Sequence, residues 1–353
     1  MHSALILLIL YAAATLVVCE VSQLPIYWIN MDEMVDRKNS MTRHLNEHGV
    51  KYHKRIKALT PSTCNLIMVD SNCNRVSLSD ISIVCSHVSA LHTALNDQSD
   101  LARNSKYFLV LEDDVRFQFQ VDYAKLIDAA PNDFGSLQLM MSHKIQIESQ
   151  WDHFLDSVNT KSSSKQRPDY FVHRPRNSTV WSAQAVLYNK DVIRSFIEKA
   201  VVKDKHGRLG YKLVTTADYE KTSSSNVNPY KPAIACACLF ADMFVYAMAQ
   251  PSYIATVPFL NSAVQGVNST YHQDHVVFHL QGFAKLQQIK EQMLQNRTLL
   301  PNYLTPLKTD TSKGKAGNLK GTTTGAEETV DWVDVAKKNP AVGRHVPRRF
   351  NTD

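Results

Sequence analysis

The stretch that decides the fold reads Tyr107-Phe108-Leu109-Val110-Leu111-Glu112-Asp113-Asp114. Its first five residues form an unbroken run of large aromatic and aliphatic side chains, which is typical of a buried strand. Three carboxylates follow at once. Like charges repel, so such a cluster favours a bound divalent cation, and Mg²⁺ or Mn²⁺ takes oxygen ligands. A solvated strand end without any ligand is the alternative that this stretch alone leaves open.

Strands alternate with helices on both sides of this stretch. We predict strands at 25–30, 107–111, 136–141, 182–188 and 253–257, and helices at 31–50, 79–99, 121–130, 189–200, the second half of 234–249, and 283–294. This order indicates an α/β fold with a mainly parallel central sheet and flanking helices. Ligands of such sheets bind beyond the carboxyl ends of the strands, where the acidic turn lies. Two polar segments, 148–178 and 203–232, are predicted to be surface loops.

The composition is that of an ordinary globular protein. Apolar residues make up 44% and charged residues 20% of the 353 residues, and the formal net charge is +6. No basic segment carries the interleaved aromatic residues expected of a nucleic-acid surface, so we predict no nucleic-acid partner.

The N-terminal segment predicts a secretory route. Ala4 to Val18 is an uncharged apolar run of about 15 residues, short for a membrane span, which needs roughly 20. We therefore predict that residues 1–19 are a signal peptide or a retained signal anchor. The protein is expected to contact a membrane only if this segment is retained as an anchor. The expected location is the endoplasmic reticulum or Golgi lumen, or outside the cell. Residues 20–304 are predicted to form one domain, and 305–353 a low-complexity, disordered tail.

Sequons and cysteines fit an oxidising compartment. The three N-glycosylation sequons begin at Asn177, Asn268 and Asn296. Cys64 and Cys73 flank a short stretch and could close a small loop, whereas Cys85 is equally well interpreted as a buried free thiol. No CxxC pair is present, so a structural zinc site is not expected.

Several stretches, taken in order, resemble glycosyltransferase family 25, the family of the lipooligosaccharide and procollagen galactosyltransferases. They are Ile26-Tyr27-Trp28-Ile29-Asn30 with Asp36-Arg37, Ser86-His87 with Leu91, Leu109 to Phe117 (LVLEDDVRF), Trp181 to Ile197, and Ala241-Asp242-Met243-Phe244 followed by Pro251 and Pro258. Together they span about residues 25–265. Two departures are visible: the family's Gly-Cys before Ser-His is absent here, and its Trp-Asp stands as Asp133-Phe134.

The resemblance implies a GT-A-like, Rossmann-type fold that binds a nucleotide sugar. It further implies a UDP-sugar donor, most often UDP-galactose, a protein or glycan hydroxyl as acceptor, and Mn²⁺ or Mg²⁺. Transfer with inversion requires a general base on the acceptor hydroxyl.

The resemblance also suggests a role for individual residues. Glu112 and Asp114 are the expected metal ligands, and the expected donor-binding residues are Asn30, Arg37, His87 and Asp113. Other interpretations remain open at two positions: Arg37 as a solvated charge on a helix and His87 as a buried structural histidine. Three late histidines, His272, His275 and His279, are candidates for a third metal ligand.

Asp242 is the expected catalytic base. It is a lone carboxylate in an apolar stretch, and burial would raise its pKa and favour proton abstraction. The alternative interpretation is a carboxylate at a helix start.

Two other functions compete with this one. The first is a catalytically inactive glycosyltransferase-like lumenal protein that binds glycans or proteins. The second is a metal-dependent phosphotransferase, for which the chain lacks a Gly-rich phosphate loop.

Overall fold

The computed structural model describes residues 24–69, 76–161, 167–176, 178, 180–213, 240–262 and 276–307. The predicted leader and nearly all of the predicted tail lie outside these residues. No helix in the described part of the chain is long and apolar enough to cross a membrane.

Fourteen strands and eight α-helices make up the described residues. The strands are β1 (Ile26–Asn30), β2 (His53–Lys57), β3 (Leu66–Val69), β4 (Tyr107–Glu112), β5 (Val115–Phe117), β6 (Phe119–Val121), β7 (Ser136–Gln138), β8 (Phe171–Arg174), β9 (Ala185–Asn189), β10 (Val201–Lys203), β11 (Leu209–Leu213), β12 (Ser252–Ala255), β13 (Leu260–Ser262) and β14 (Leu304–Pro306). The helices are α1 (Val35–Glu47), α2 (Leu78–Asn96), α3 (Asp100–Asn104), α4 (Tyr123–Ala129), α5 (Lys144–Lys161), α6 (Lys190–Ala200), α7 (Ala241–Met248) and α8 (Val276–Gln295), and a 3₁₀ turn spans Arg297–Leu299.

A seven-stranded sheet forms the centre of the fold, in the order β2-β1-β4-β9-β7-β12-β8. β1 pairs in parallel with β2 and β4, and β7 pairs in parallel with β12. β9 runs antiparallel to both β4 and β7, and β8 runs antiparallel to β12. Five of the seven strands therefore point the same way, and the prediction of a mixed α/β fold with a mostly parallel sheet is confirmed.

Both faces of the sheet are covered, which explains why β4 is apolar without alternation. Phe108 and Val110 pack on one face against residues of α2, α6 and α7. Leu109 and Leu111 pack on the other face against residues of α1, α4, α5 and α8. Because successive side chains of a strand point to opposite faces, one continuous apolar run serves two cores.

The prediction of a loop over 148–178 is wrong. This segment contains most of α5 and all of β8. The buried side chains Ile147, Trp151 and Phe154 follow the helical spacing, but charged and polar residues separate them and hide the pattern. The predicted loop over 203–232 begins instead with the β10–β11 hairpin, and residues 214–239 lie outside the described residues.

Element ends differ by a few residues from their predicted positions. Helix α2 begins earlier than expected, because Ser77 and Asp80 form a capping box. Val121 belongs to β6 and not to the helix that follows it. The helix predicted at 31–50 is shorter in the structure: helix α1 spans Val35–Glu47, and Gly49 beyond its end has a φ of 70°, which glycine adopts without a steric penalty.

Candidate active site

Three neighbouring strands end at one edge of the central sheet. Ile29 of β1 lies opposite Glu112 of β4, so Asn30 follows at the level of the acidic turn. β9 runs the other way, so its N-terminal end reaches the same edge, where the backbone N–H of Glu112 donates to the carbonyl oxygen of Gln184 at 2.8 Å. The sheet thus gathers side chains that are more than 150 residues apart in sequence.

Asp113 is the buried member of the acidic turn. Asn30 Nδ2 donates a hydrogen bond of 2.6 Å to its Oδ2, and Arg37 of α1 forms an ion pair with its Oδ1. Burial raises the pKa of Asp113 to about 6 although the positive charge of Arg37 acts in the opposite direction. Asn30, Arg37 and Asp113, all predicted from the sequence, therefore form one connected group.

Arg55 orients Asn30, and the sequence did not predict it. Its Nε donates to Asn30 Oδ1 at 2.7 Å, and a second guanidinium nitrogen donates to the backbone oxygen of Asn30 at 3.2 Å. The Asn30 side-chain oxygen accepts from Arg55, so the amide NH₂ group on the other side is turned toward Asp113. In the sequence, Arg55 is one of three Lys and Arg residues in the stretch His53–Lys57, and nothing distinguishes it.

Glu112 is held by a buried histidine. His87 of α2 lies 3.1 Å from Glu112 Oε1 through its Nε2 and is almost fully buried. Burial alone would raise the pKa of Glu112, but the hydrogen bond and charge of His87 outweigh it, so the pKa lies below its usual value. His87 therefore lies behind the acidic turn, where it supports a predicted metal ligand.

Asp114 contacts a glutamine that sequence reasoning missed. Gln184 Nε2 lies 3.2 Å from Oδ1 and 3.1 Å from Oδ2 of Asp114. Arg37 also approaches Asp114, at 3.6 Å from Oδ2. An uncharged residue at the start of an apolar strand carries no sequence signal for such a role.

The acidic turn fits a cation that shares its coordination with a ligand. Within the described residues, no group of three or more His, Cys, Asp or Glu side chains converges closely enough to enclose a metal. Mg²⁺ and Mn²⁺ do not require such an enclosure, since one or two carboxylates plus water and phosphate oxygens are sufficient. Glu112 and Asp114, both partly exposed, supply two such carboxylates.

His279 is the late histidine that lies near this turn. It is part of α8, and its charge contributes to the lowered pKa of Glu112. His272 and His275, the other two candidates for a third metal ligand, lie outside the described residues.

Asp242 lies in the first turn of α7, as the helix-start interpretation predicted, and its side chain reaches the same edge of the sheet. Its Oδ1 accepts the backbone N–H of Ala183 at 2.8 Å. Burial raises the pKa of Asp242, and the negative charge of Glu112 raises it further. A carboxylate whose pKa is raised is a better proton acceptor. The helix-start interpretation is confirmed, and the role of Asp242 as catalytic base stays a prediction.

Helix α1 fixes the chain that leaves the acidic turn. The guanidinium of Arg116 donates to Ser40 Oγ at 2.8 Å, and His44 Nε2 accepts the backbone N–H of Phe117 at 2.8 Å. The His44 ring also stacks on Phe117, with ring centroids 5.5 Å apart. Because His44 accepts a hydrogen bond through Nε2, the folded protein requires its neutral form.

His44 should make the folded protein sensitive to mild acid. Burial, together with the smaller electrostatic effects of His48 and Arg116, lowers its pKa from 6.5 to about 3. Below pH 6.5 the unfolded chain takes up a proton that the fold excludes, so the stabilisation present above that pH is lost as the pH falls toward 3. We expect a loss of about 2 kcal/mol between pH 7.5 and 5 from this group.

Urea denaturation at the two pH values measures this loss. His44→Gln keeps a hydrogen-bond acceptor but cannot be protonated, so its stability should fall less over the same interval. An equal loss in His44→Gln and the wild type would contradict this role of His44.

A disulfide joins two of the six cysteines. Cys64, which follows β2, is bonded to Cys85 of α2. The alternative of a Cys64–Cys73 loop and the alternative of a free thiol at Cys85 are therefore both wrong. Cys85 lies two residues before His87, so the bond ties the segment after β2 to the helix that supports Glu112.

Comparison with solved structures gives matches to part of this chain. One match is a bifunctional glycosyltransferase named WbbM, in its apo structure, at 12% identity and a TM-score of 0.22. The match covers 50% of this chain and 32% of that one, so this chain corresponds to about a third of that protein. Comparison with curated proteins gives no match.

The family comparison is more extensive. The model of glycosyltransferase family 25, described as an LPS biosynthesis family, matches residues 23–203. This segment contains β1, α1, the acidic turn and β9, and therefore Asn30, Arg37, His87 and all three turn carboxylates. Since the match covers just over half of the 353 residues, the chain belongs to glycosyltransferase family 25.

Proposed function

We propose that this glycosyltransferase moves a hexose, most readily galactose, from a UDP-sugar to a protein or glycan hydroxyl, with inversion and with Mn²⁺ or Mg²⁺. The observation that carries the proposal is the arrangement at one sheet edge. Glu112 and Asp114 lie between the group of Asn30 and Arg37 on the β1 side and Asp242 on the β9 side.

The β1 side has the chemistry of a diphosphate site. Arg37 carries a permanent positive charge, and its buried Nε has no hydrogen-bond partner within the described residues. Asp113 and the neighbouring Asn30 would contact the ribose or the donor sugar. When bound, the cation would offset the negative charge that develops on the leaving diphosphate, and Glu112 and Asp114 would hold it.

The β9 side has the chemistry of proton removal. In an inverting transfer, the acceptor oxygen bonds to the anomeric carbon on the face opposite the diphosphate. The bond from that carbon to the diphosphate oxygen breaks, and the oxygen leaves with the electron pair. The hydroxyl proton passes to the carboxylate of Asp242, whose raised pKa suits that transfer.

A secretory location is part of the proposal. The Cys64–Cys85 disulfide supports an oxidising compartment. Asn296, the start of one sequon, is exposed, as are Arg297 and Thr298, so the sequon is accessible. Asn177, the sequon that begins at Asn268, and the predicted leader lie outside the described residues.

A donor screen by UDP release, with and without Mn²⁺, tests the proposed function. UDP-galactose should be hydrolysed in the presence of Mn²⁺, and chelation should stop the reaction. A protein that neither releases UDP from any UDP-sugar nor binds UDP with Mn²⁺ would instead be the catalytically inactive relative.

A further inference from the structure

Trp181 differs from the other tryptophans that the structure describes. Its relative exposure is 41%, whereas Trp28 and Trp151 are each 2% exposed and belong to the core. Phe240 lies beside the Trp181 ring in an edge-to-face arrangement, with centroids 6.4 Å apart. An exposed indole needs a reason, because burying it would stabilise the fold.

Buried side chains hold the backbone around Trp181 at successive carbonyl oxygens. Arg174 donates to the oxygen of Val180 at 2.6 Å, and Gln138 donates to that of Trp181 at 2.8 Å. The oxygen of Ser182 accepts from Gln138 at 3.1 Å and from the Tyr246 hydroxyl at 2.7 Å. The side chains of Arg174, Gln138 and Tyr246 are inaccessible to solvent, so the segment is rigidly positioned.

This segment also carries a disfavoured backbone conformation. Ser182 has a φ of 100°, in a region that residues with a Cβ rarely adopt. Such a conformation persists only where the surroundings over-determine it, and it is concentrated at functional sites. The hydrogen bonds to Val180, Trp181 and Ser182 provide that constraint. Ser182 and Ala183 are buried, while the neighbouring Trp181 stays exposed.

The Trp181 segment is joined directly to the candidate active site. The backbone N–H of Ala183 binds Asp242, and the Ser182 hydroxyl lies 3.1 Å from Gln184 Oε1. Gln184 in turn contacts Asp114. Trp181 therefore lies on the β9 side of the acidic turn, away from Asn30 and Arg37 on the β1 side.

We propose that Trp181 binds the acceptor by stacking on the apolar face of a sugar ring, which makes the acceptor a glycan. An in-line displacement requires donor diphosphate and acceptor on opposite sides of the anomeric carbon, so the side with Asp242 and Trp181 receives the acceptor. One face of a hexose carries C–H groups and packs on an indole, while its hydroxyls stay hydrated. The inference rests on the proposed function, since it assigns the acceptor half of the same site.

The test compares transfer with hydrolysis in Trp181→Ala, Trp181→Phe and a control. Leu209→Ala is the control, because Leu209 is 42% exposed and lies on β11, in another sheet. With UDP-galactose and Mn²⁺, the acceptor probes are methyl β-D-galactopyranoside, methyl β-D-glucopyranoside and a hydroxylysine-containing peptide. Trp181→Ala should raise the KM for a methyl hexoside about tenfold or more and leave the rate of donor hydrolysis within about twofold of the wild type. Trp181→Phe, which keeps an aromatic ring, should retain most of the affinity for the methyl hexoside.

The outcomes separate the two proposals. Absence of UDP release from the wild type overturns the proposed function. Equal transfer by Trp181→Ala and Leu209→Ala, or transfer to the peptide alone, overturns the sugar-stacking role. Saturation-transfer NMR with methyl β-D-galactopyranoside tests that role without turnover. The saturation-transfer signal should persist in Leu209→Ala and Trp181→Phe and vanish in Trp181→Ala. A signal that survives in Trp181→Ala overturns the role.

Discussion

Replacing Asp114 with asparagine is expected to lower metal-dependent hydrolysis of UDP-galactose by about a thousandfold, a barrier increase of about 4 kcal/mol. The substitution removes one of two carboxylates that would hold the cation against the diphosphate. It keeps the shape of the side chain and an oxygen that can accept from Gln184. The fold should therefore survive, and Asp114→Ala should abolish the same activity.

UDP release at saturating donor, measured over a range of Mn²⁺ concentrations, tests this expectation. Asp100→Asn is the control, because it makes the same change of charge at a carboxylate that is 87% exposed on α3. It should match the wild type. Activity of Asp114→Asn within about tenfold of the wild type would show that Asp114 does not hold the cation.

Replacing Asp242 with asparagine should lower the rate of transfer to an acceptor by about a hundredfold to ten-thousandfold, the usual contribution of a general base. Asparagine can still accept the Ala183 N–H, so the contact that positions the residue is kept. Burial and the charge of Glu112 disfavour the ionised carboxylate, as its raised pKa indicates. The neutral variant should therefore unfold at the same temperature as the wild type or at a higher one.

The pH dependence of transfer gives a second measure of Asp242. The base must be ionised, so transfer should fall as the pH drops through the pKa of Asp242. Because that pKa is raised, the fall should occur above the 3.8 of an ordinary aspartate. Normal transfer by Asp242→Asn, or a marked loss of stability with the transfer rate unchanged, would contradict the role as base.

Much of the fold follows from local sequence patterns. β4 and the acidic turn are predictable because an unbroken apolar run followed by three carboxylates has few alternatives to a buried strand that ends at a sheet edge. The same reasoning places Asn30 at the end of β1. α5 is not predictable in this way, since charged residues between Ile147, Trp151 and Phe154 mask the face that the core selects.

The candidate site is less predictable than the fold, because its contacts are tertiary. The ordered resemblance suggested that Asn30, Arg37 and Asp113 act together, and the structure brings them into contact. Arg55 and Gln184 have no sequence signal, since their roles depend on which strands are neighbours. The roles of the site residues in catalysis stay predictions until variants are measured.

The most direct test of the central claim is UDP release from UDP-galactose by the wild-type protein, with Mn²⁺ and after chelation by EDTA. We predict UDP release that requires the cation, is restored when Mn²⁺ is added back, and is absent in Asp114→Ala. UDP release that is unaffected by EDTA, or that persists at the wild-type rate in Asp114→Ala, would contradict the claim that the turn at Glu112 to Asp114 is the metal and donor site.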